Sequence, residues 1–73
     1  MANPVIGFGI AYGGEMIFCE AMMEEHSYEI YFDGKWMASL EHTDQLDWIQ
    51  ASGIILPHAI IEEIGERIES HYQ

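Results

Sequence analysis

Two successive glycines, Gly13-Gly14, separate two runs of alternating residues, which constrains this stretch to a β-hairpin. A two-residue hairpin loop of the favoured type needs positive φ at both central positions, which glycine adopts without steric cost. The flanking runs, Pro4–Tyr12 and Glu15–Met23, alternate as half-buried strands do. Closing the hairpin there pairs Tyr12 with Glu15, and counting back sets Ile10 against Ile17, Phe8 against Cys19 and Ile6 against Ala21. On the opposite side Phe18 falls over Gly9 and Met22 over Val5, so the Phe18 ring is expected to compensate for a glycine that weakens its strand.

After a tight turn at Glu25-His26, Ser27–Phe32 and Lys35–His42 read as a second hairpin whose loop admits two registers. A two-residue Asp33-Gly34 turn would set Ile30 with Met37 and put Trp36 on the face of Tyr31. A three-residue loop, Phe32-Asp33-Gly34, would place Gly34 in the left-handed position of a bulge and pair Ile30 with Trp36 and Tyr28 with Ala38. The three-residue loop is preferred, because it gathers Tyr28, Ile30, Trp36, Ala38 and Leu40 on the core side. It leaves Glu29, Tyr31, Lys35, Met37, Ser39 and Glu41 outside.

Pro57 suits the first helical position, where its missing N–H costs nothing, and Ile60, Ile61, Ile64, Ile68 and Tyr72 follow at helical spacing. Glu62, Glu63, Glu66, Glu69 and Gln73 make the other side, with acids toward the N-terminal end that the helix dipole favours. Gly65 falls on the apolar stripe, where it costs about 1 kcal/mol in propensity but lets the helix approach the sheet closely. Trp48 and Ile49 suffice for a short fifth strand over Asp47–Ala51. The expected fold is therefore α+β: one domain over residues 1–73, an antiparallel four- to five-stranded meander sheet beginning with Pro4–His42, and one C-terminal helix, Pro57–Tyr72, packed on one face.

Composition narrows the classes of function. A chain of 73 residues builds a single thin core, burying about 60% of its unfolded surface. At 49% hydrophobic and 21% charged it has enough apolar surface to fold. Cys19 is the one cysteine, so no disulfide can close within the chain, and a reducing compartment, the cytoplasm, is expected. Val5–Tyr12 is too short to span a bilayer, and neither a signal peptide nor a membrane anchor is indicated. Thirteen acids against two bases, Lys35 and Arg67, give a net charge of -11, which disfavours nucleic acid and anionic membrane surfaces as partners. The same charge keeps a small, sticky domain dispersed.

No strong catalytic, metal or nucleotide motif stands out, so no enzyme activity and no cofactor are expected. His58 and Glu62 lie one helical turn apart, but a metal site needs three or four converging ligands, and His26, His42 and His71 fall at a turn, a strand end and the C-terminus. The acidic stretch Glu41–Asp47 lacks the alternating ligands and central glycine of a calcium loop. Cys19, opposite Phe8, is expected to be buried and inert. The serines have no nucleophile-elbow context, Gly7-Phe8-Gly9 lacks the rest of a dinucleotide fingerprint, and Glu24-Glu25 and Glu62-Glu63 point apart on regular elements.

The positive indication is a surface. One helix masks one side of a sheet, which leaves Met16, Phe18, Met22, Tyr31 and Met37, with the acids Glu20 and Glu29 among them, as the expected interaction face. The alternative is that Trp48 and Ile49 fold back and shield it. The expected role is a non-enzymatic protein–protein interaction module. Its partner is another protein, preferably basic, because a symmetric homodimer through this face would bury the like charges of Glu20 and Glu29. Other readings are an obligate homodimer with a structural or ligand-holding role, a nucleic-acid mimic using Glu62, Glu66 and Glu69, and a minimal metal-dependent enzyme using His58 and Glu62.

Overall fold

The computed structural model describes residues 4–43, 45 and 47–71. Five strands, β1 (Val5–Tyr12), β2 (Glu15–Met23), β3 (Tyr28–Phe32), β4 (Lys35–His42) and β5 (Trp48–Gly53), precede one helix, α1 (His58–His71). The strands form one antiparallel sheet in the order β1-β2-β3-β4-β5, a meander in which each strand lies beside the next. The α+β fold with one C-terminal helix is thus the one the sequence predicts.

The first hairpin closes on Gly13 and Gly14, at φ 62° and 82°, and its register runs from Tyr12↔Glu15 to Val5↔Met22 as counted from the sequence. One detail differs. Phe18 is the Cα partner of Gly9, but its ring reaches diagonally over Gly7, where a Cβ would stand 2.6 Å from the ring tip, and the Met16 methyl covers Gly9. Strand twist makes diagonal neighbours close enough for such contacts.

The second hairpin combines features of both expected registers. Its turn is the two-residue one: Asp33 and Gly34 take φ 50° and 84°, and Phe32 pairs with Lys35 and Tyr31 with Trp36. Register then shifts, so that Ile30 pairs with Ala38 and Tyr28 with Leu40, leaving Met37 as the extra residue of a bulge. Two expectations are corrected. Trp36 stands on the outer face, 42% exposed, and Met37 is buried at 8% exposure. Asp33 favours the tighter turn because it tolerates the left-handed region and extends the β2–β3 pairing: its N–H donates to the Phe18 carbonyl at 2.8 Å, and its Oδ1 accepts from the Phe18 N–H at 3.2 Å. The bulge then returns Ala38 and Leu40 to the core.

Strand β5 begins at Trp48 and runs to Gly53, two residues beyond the expected end. A second shift between Ser39↔Ser52 and Leu40↔Gln50 leaves Ala51 unpaired. Gly53, at φ 100°, lies so close to the Met37 carbonyl and Ala38 Cα that no side chain fits there.

Before the helix, the Pro57 carbonyl accepts the N–H groups of Ile60 and Ile61 at 2.9 and 3.1 Å, so Pro57 acts as the N-cap rather than the first helical residue. The first turn carries no acid, and the carboxylates begin at Glu62. Tyr72 and Gln73, expected at the helix end, lie outside the described residues. Ile61, Ile64 and Ile68 meet Ile6, Ile10, Cys19, Ala21, Ile30 and Leu40 in the core. The helix comes closest to β1 and β5, the two edges of the sheet. The Tyr12 and Phe32 rings meet with centroids 5.3 Å apart although β2 separates their strands. Gly65 makes the expected close approach, and the Trp48 indole lies against it.

Candidate functional site

Strand alternation places Val5, Met16, Phe18, Glu20, Met22, Glu29, Tyr31 and Trp36 on the face away from the helix. Met16 is 75% and Phe18 51% exposed, Val5 is exposed opposite Met22, and Met22 and Tyr31 are half-buried. A depression of about 170 Å³ opens among Val5, Glu20, Met22, Tyr31 and Gly34. Six of the seven residues expected on this face are therefore there, and Met37 is not. Trp48 and Ile49 do not shield it: Trp48 turns inward onto Gly65, and Ile49 is itself exposed beside Glu41 at the far edge.

Trp36 brings an arrangement that sequence reasoning missed. Its indole Nε1 donates to Glu29 Oε1 at 2.8 Å, Ser39 Oγ donates to the same carboxylate at 2.8 Å, and Ser27 Oγ donates to Oε2 at 3.0 Å. Partial burial pushes the Glu29 pKa up, but the hydrogen bonds from Ser39, Trp36 and Ser27 together outweigh it and hold the carboxyl below its ordinary value of 4.5. Glu29 is thus a charge already solvated by the protein. The visible signal was the Asp33-Gly34 dipeptide, whose two-residue turn places Trp36 on the face of Tyr31.

Cys19 is fully buried, and desolvation, then Glu20 and Glu63, push its thiol up to about 12, so it stays protonated and unreactive. The histidines are spread out. His58 Nε2 lies 3.4 Å from Glu62, and His26 faces Glu25 in the turn at 3.5 Å. His42 stacks on Trp48 with centroids 4.5 Å apart, while its Nε2 and the Trp48 N–H approach Glu69 Oε1 at 3.4 and 3.1 Å. Glu62, Glu66 and Glu69 line a groove of about 430 Å³ shared with Trp48 and His58. Among the described residues, no three His, Cys, Asp or Glu side chains gather to hold a metal ion. The calcium-loop reading of Glu41–Asp47 depends partly on Asp44, which lies outside the described residues. No helix of the described residues is long and apolar enough to cross a membrane. Comparison with known families, curated proteins and solved structures finds no match.

Proposed function

We propose that this protein is a non-enzymatic interaction module of the cytoplasm that binds a basic protein through its outer sheet face. The observation that carries the reading is the run of exposed apolar side chains, Met16, Phe18, Val5 and Trp36, on the side the helix leaves open. Thioethers and aromatics adapt to a partner surface. The depression beside them has apolar walls and the Glu20 carboxylate, which suits the stem and head of a lysine or arginine. A net charge of -11 draws such a partner in and makes binding weaken with salt.

The test is replacement of Met16 and Phe18 by serine, with Met37 left alone because it is part of the core. The native chain should bind an apolar-surface dye at neutral pH and capture a basic partner in a salt-sensitive way. The double variant should lose both while keeping its fold by far-ultraviolet circular dichroism, at a melting temperature lowered only by the uncovering of Gly7 and Gly9. Unchanged dye binding and capture would reject the reading.

A further inference from the structure

We infer that β1 is a pairing edge, and that a second copy of this chain adds its own β1 there, antiparallel, to make a continuous ten-stranded sheet. The inference rests on the sheet's edge and stands apart from the role given to its face.

Pairing in the first hairpin decides which backbone groups of β1 are left unpaired among the described residues. Its two-residue loop makes Tyr12↔Glu15 a hydrogen-bonded pair, so Ile10, Phe8 and Ile6 also turn their N–H and C=O groups toward β2. The Met23 N–H donating to the Pro4 carbonyl at 2.9 Å continues the alternation. Val5, Gly7, Gly9 and Ala11 therefore direct their backbone groups away from the sheet. Gly7 and Gly9 are exposed, and since glycine has no side chain, the exposed surface is the backbone itself.

Soluble proteins usually blunt such an edge with charge, proline, a bulge or a short strand. The other edge of this sheet is blunted. Strand β5 is bulged, and the Gln50 side chain binds the chain that follows: its Nε2 donates to the Ser52 and Ile54 carbonyls at 3.1 and 2.6 Å, and its Oε1 accepts from the Leu56 N–H at 3.0 Å. Strand β1, by contrast, runs for eight residues, Val5–Tyr12, with no charge, proline or bulge.

The strand is also complementary to itself. A two-fold axis at Phe8 sets Gly7 opposite Gly9 of the second copy and Val5 opposite Ala11, so every free group of the edge finds a partner and no bulky pair meets on the outer face. Phe8 is half-buried between the buried Ile6 and Ile10, and at the axis it would meet Phe8 of the second copy in a non-hydrogen-bonded pair, where side chains come closest. The strand is neutral, so a second copy brings no like charge to the seam. The nearest outer-face acid, Glu20, lies opposite Gly7 on β2. Its distance from Glu20 of the second copy is about three strand spacings, roughly 14 Å or more, beyond the Debye length at physiological salt.

The experiment is sedimentation of the native chain across micromolar to millimolar concentration, at about 20 mM and about 500 mM salt, with amide hydrogen exchange on the same samples. A dimer should form, strengthen with salt because each copy carries -11, and protect the Val5, Gly7, Gly9 and Ala11 amides as concentration rises. Gly9→Pro, which removes an outward N–H that β2 does not use, should abolish the dimer, while Trp36→Ser, on the outer face of β4 three strands away, should leave it intact. A chain monomeric throughout overturns the inference. So does a dimer whose four amides exchange freely, or one lost with Trp36→Ser, which would place the contact on the outer face. Should Gly9→Pro fail to fold by near-ultraviolet circular dichroism, amide protection in the native chain decides. Loss of partner capture in the Met16 and Phe18 variant, with the dimer unchanged, would leave both readings standing.

Discussion

Replacing Gly65 with alanine sets two effects of known size against each other. On an open helix the change stabilises by about 1 kcal/mol, because glycine is the poorer helix former. Here the new Cβ would stand 2.5 Å from Cγ and Nε1 of the Trp48 indole, about 1 Å inside ordinary contact. The ring cannot retreat cheaply, since His42 stacks on it, Tyr28 packs against it with centroids 5.4 Å apart, and its N–H is bound to Glu69. Overpacking of a held side chain costs about 3 kcal/mol at the upper end of the usual range, leaving a net loss of about 2 kcal/mol after the propensity gain. For a domain of this size that lowers the melting temperature by roughly 8–16 °C. Thermal denaturation followed by far-ultraviolet circular dichroism reads it directly. The same substitution in a Trp48→Leu background, where the flat ring is gone, should stabilise by about 1 kcal/mol instead. Stabilisation in the native background, or equal destabilisation in both, would refute the account of Gly65 as the seat of the indole.

Two other perturbations test the buried thiol and the solvated carboxylate. With its pKa at about 12, Cys19 should resist a thiol reagent at mildly alkaline pH in the folded protein and react fully in denaturant; fast modification of the native chain would contradict its burial. Glu29 has a folded-state pKa below its ordinary 4.5, so its contribution to stability is complete above that value and is lost as pH falls through the lower folded one. Urea midpoints of the native chain and of Glu29→Gln should therefore differ at neutral pH and converge in acid. A gap that stays constant across that range would show that the three hydrogen bonds do not favour the charged form.

Most of the sheet could be read from the sequence because local chemistry and burial agree there. Gly13-Gly14 permits one tight turn, and only one register then brings Ile6, Ile10, Cys19 and Ala21 together on one face. In the second hairpin they conflict. Asp33-Gly34 favours a two-residue turn, which alone would put Ala38 and Leu40 on the wrong side, and burial requires them inside. The chain satisfies both by inserting Met37 as a bulge, a solution with no marker in residue alternation. A three-residue loop keeps the aliphatic set together but sacrifices the turn. The extension of β5 was hidden for the same reason: Ala51 is a second inserted residue, and alternation across Gln50-Ala51-Ser52 is lost.

The bulge also changes the chemistry of the outer face. It exchanges Met37, a flexible apolar side chain, for Trp36, an aromatic whose N–H is fixed on Glu29. Of the two acids that argued against burying this face, Glu29 is the one whose charge the protein already solvates through Trp36, Ser39 and Ser27. Desolvating a carboxylate costs most when its oxygens have no donors left, so the penalty on covering the face falls mainly on Glu20. Glu20 lines the depression where a partner's cation would sit. A basic partner that reaches it turns the remaining unfavourable charge into a favourable contact, whereas a second copy laid face to face brings another Glu20. Self-association is therefore better placed at the neutral β1 edge, which keeps the outer faces of both copies free.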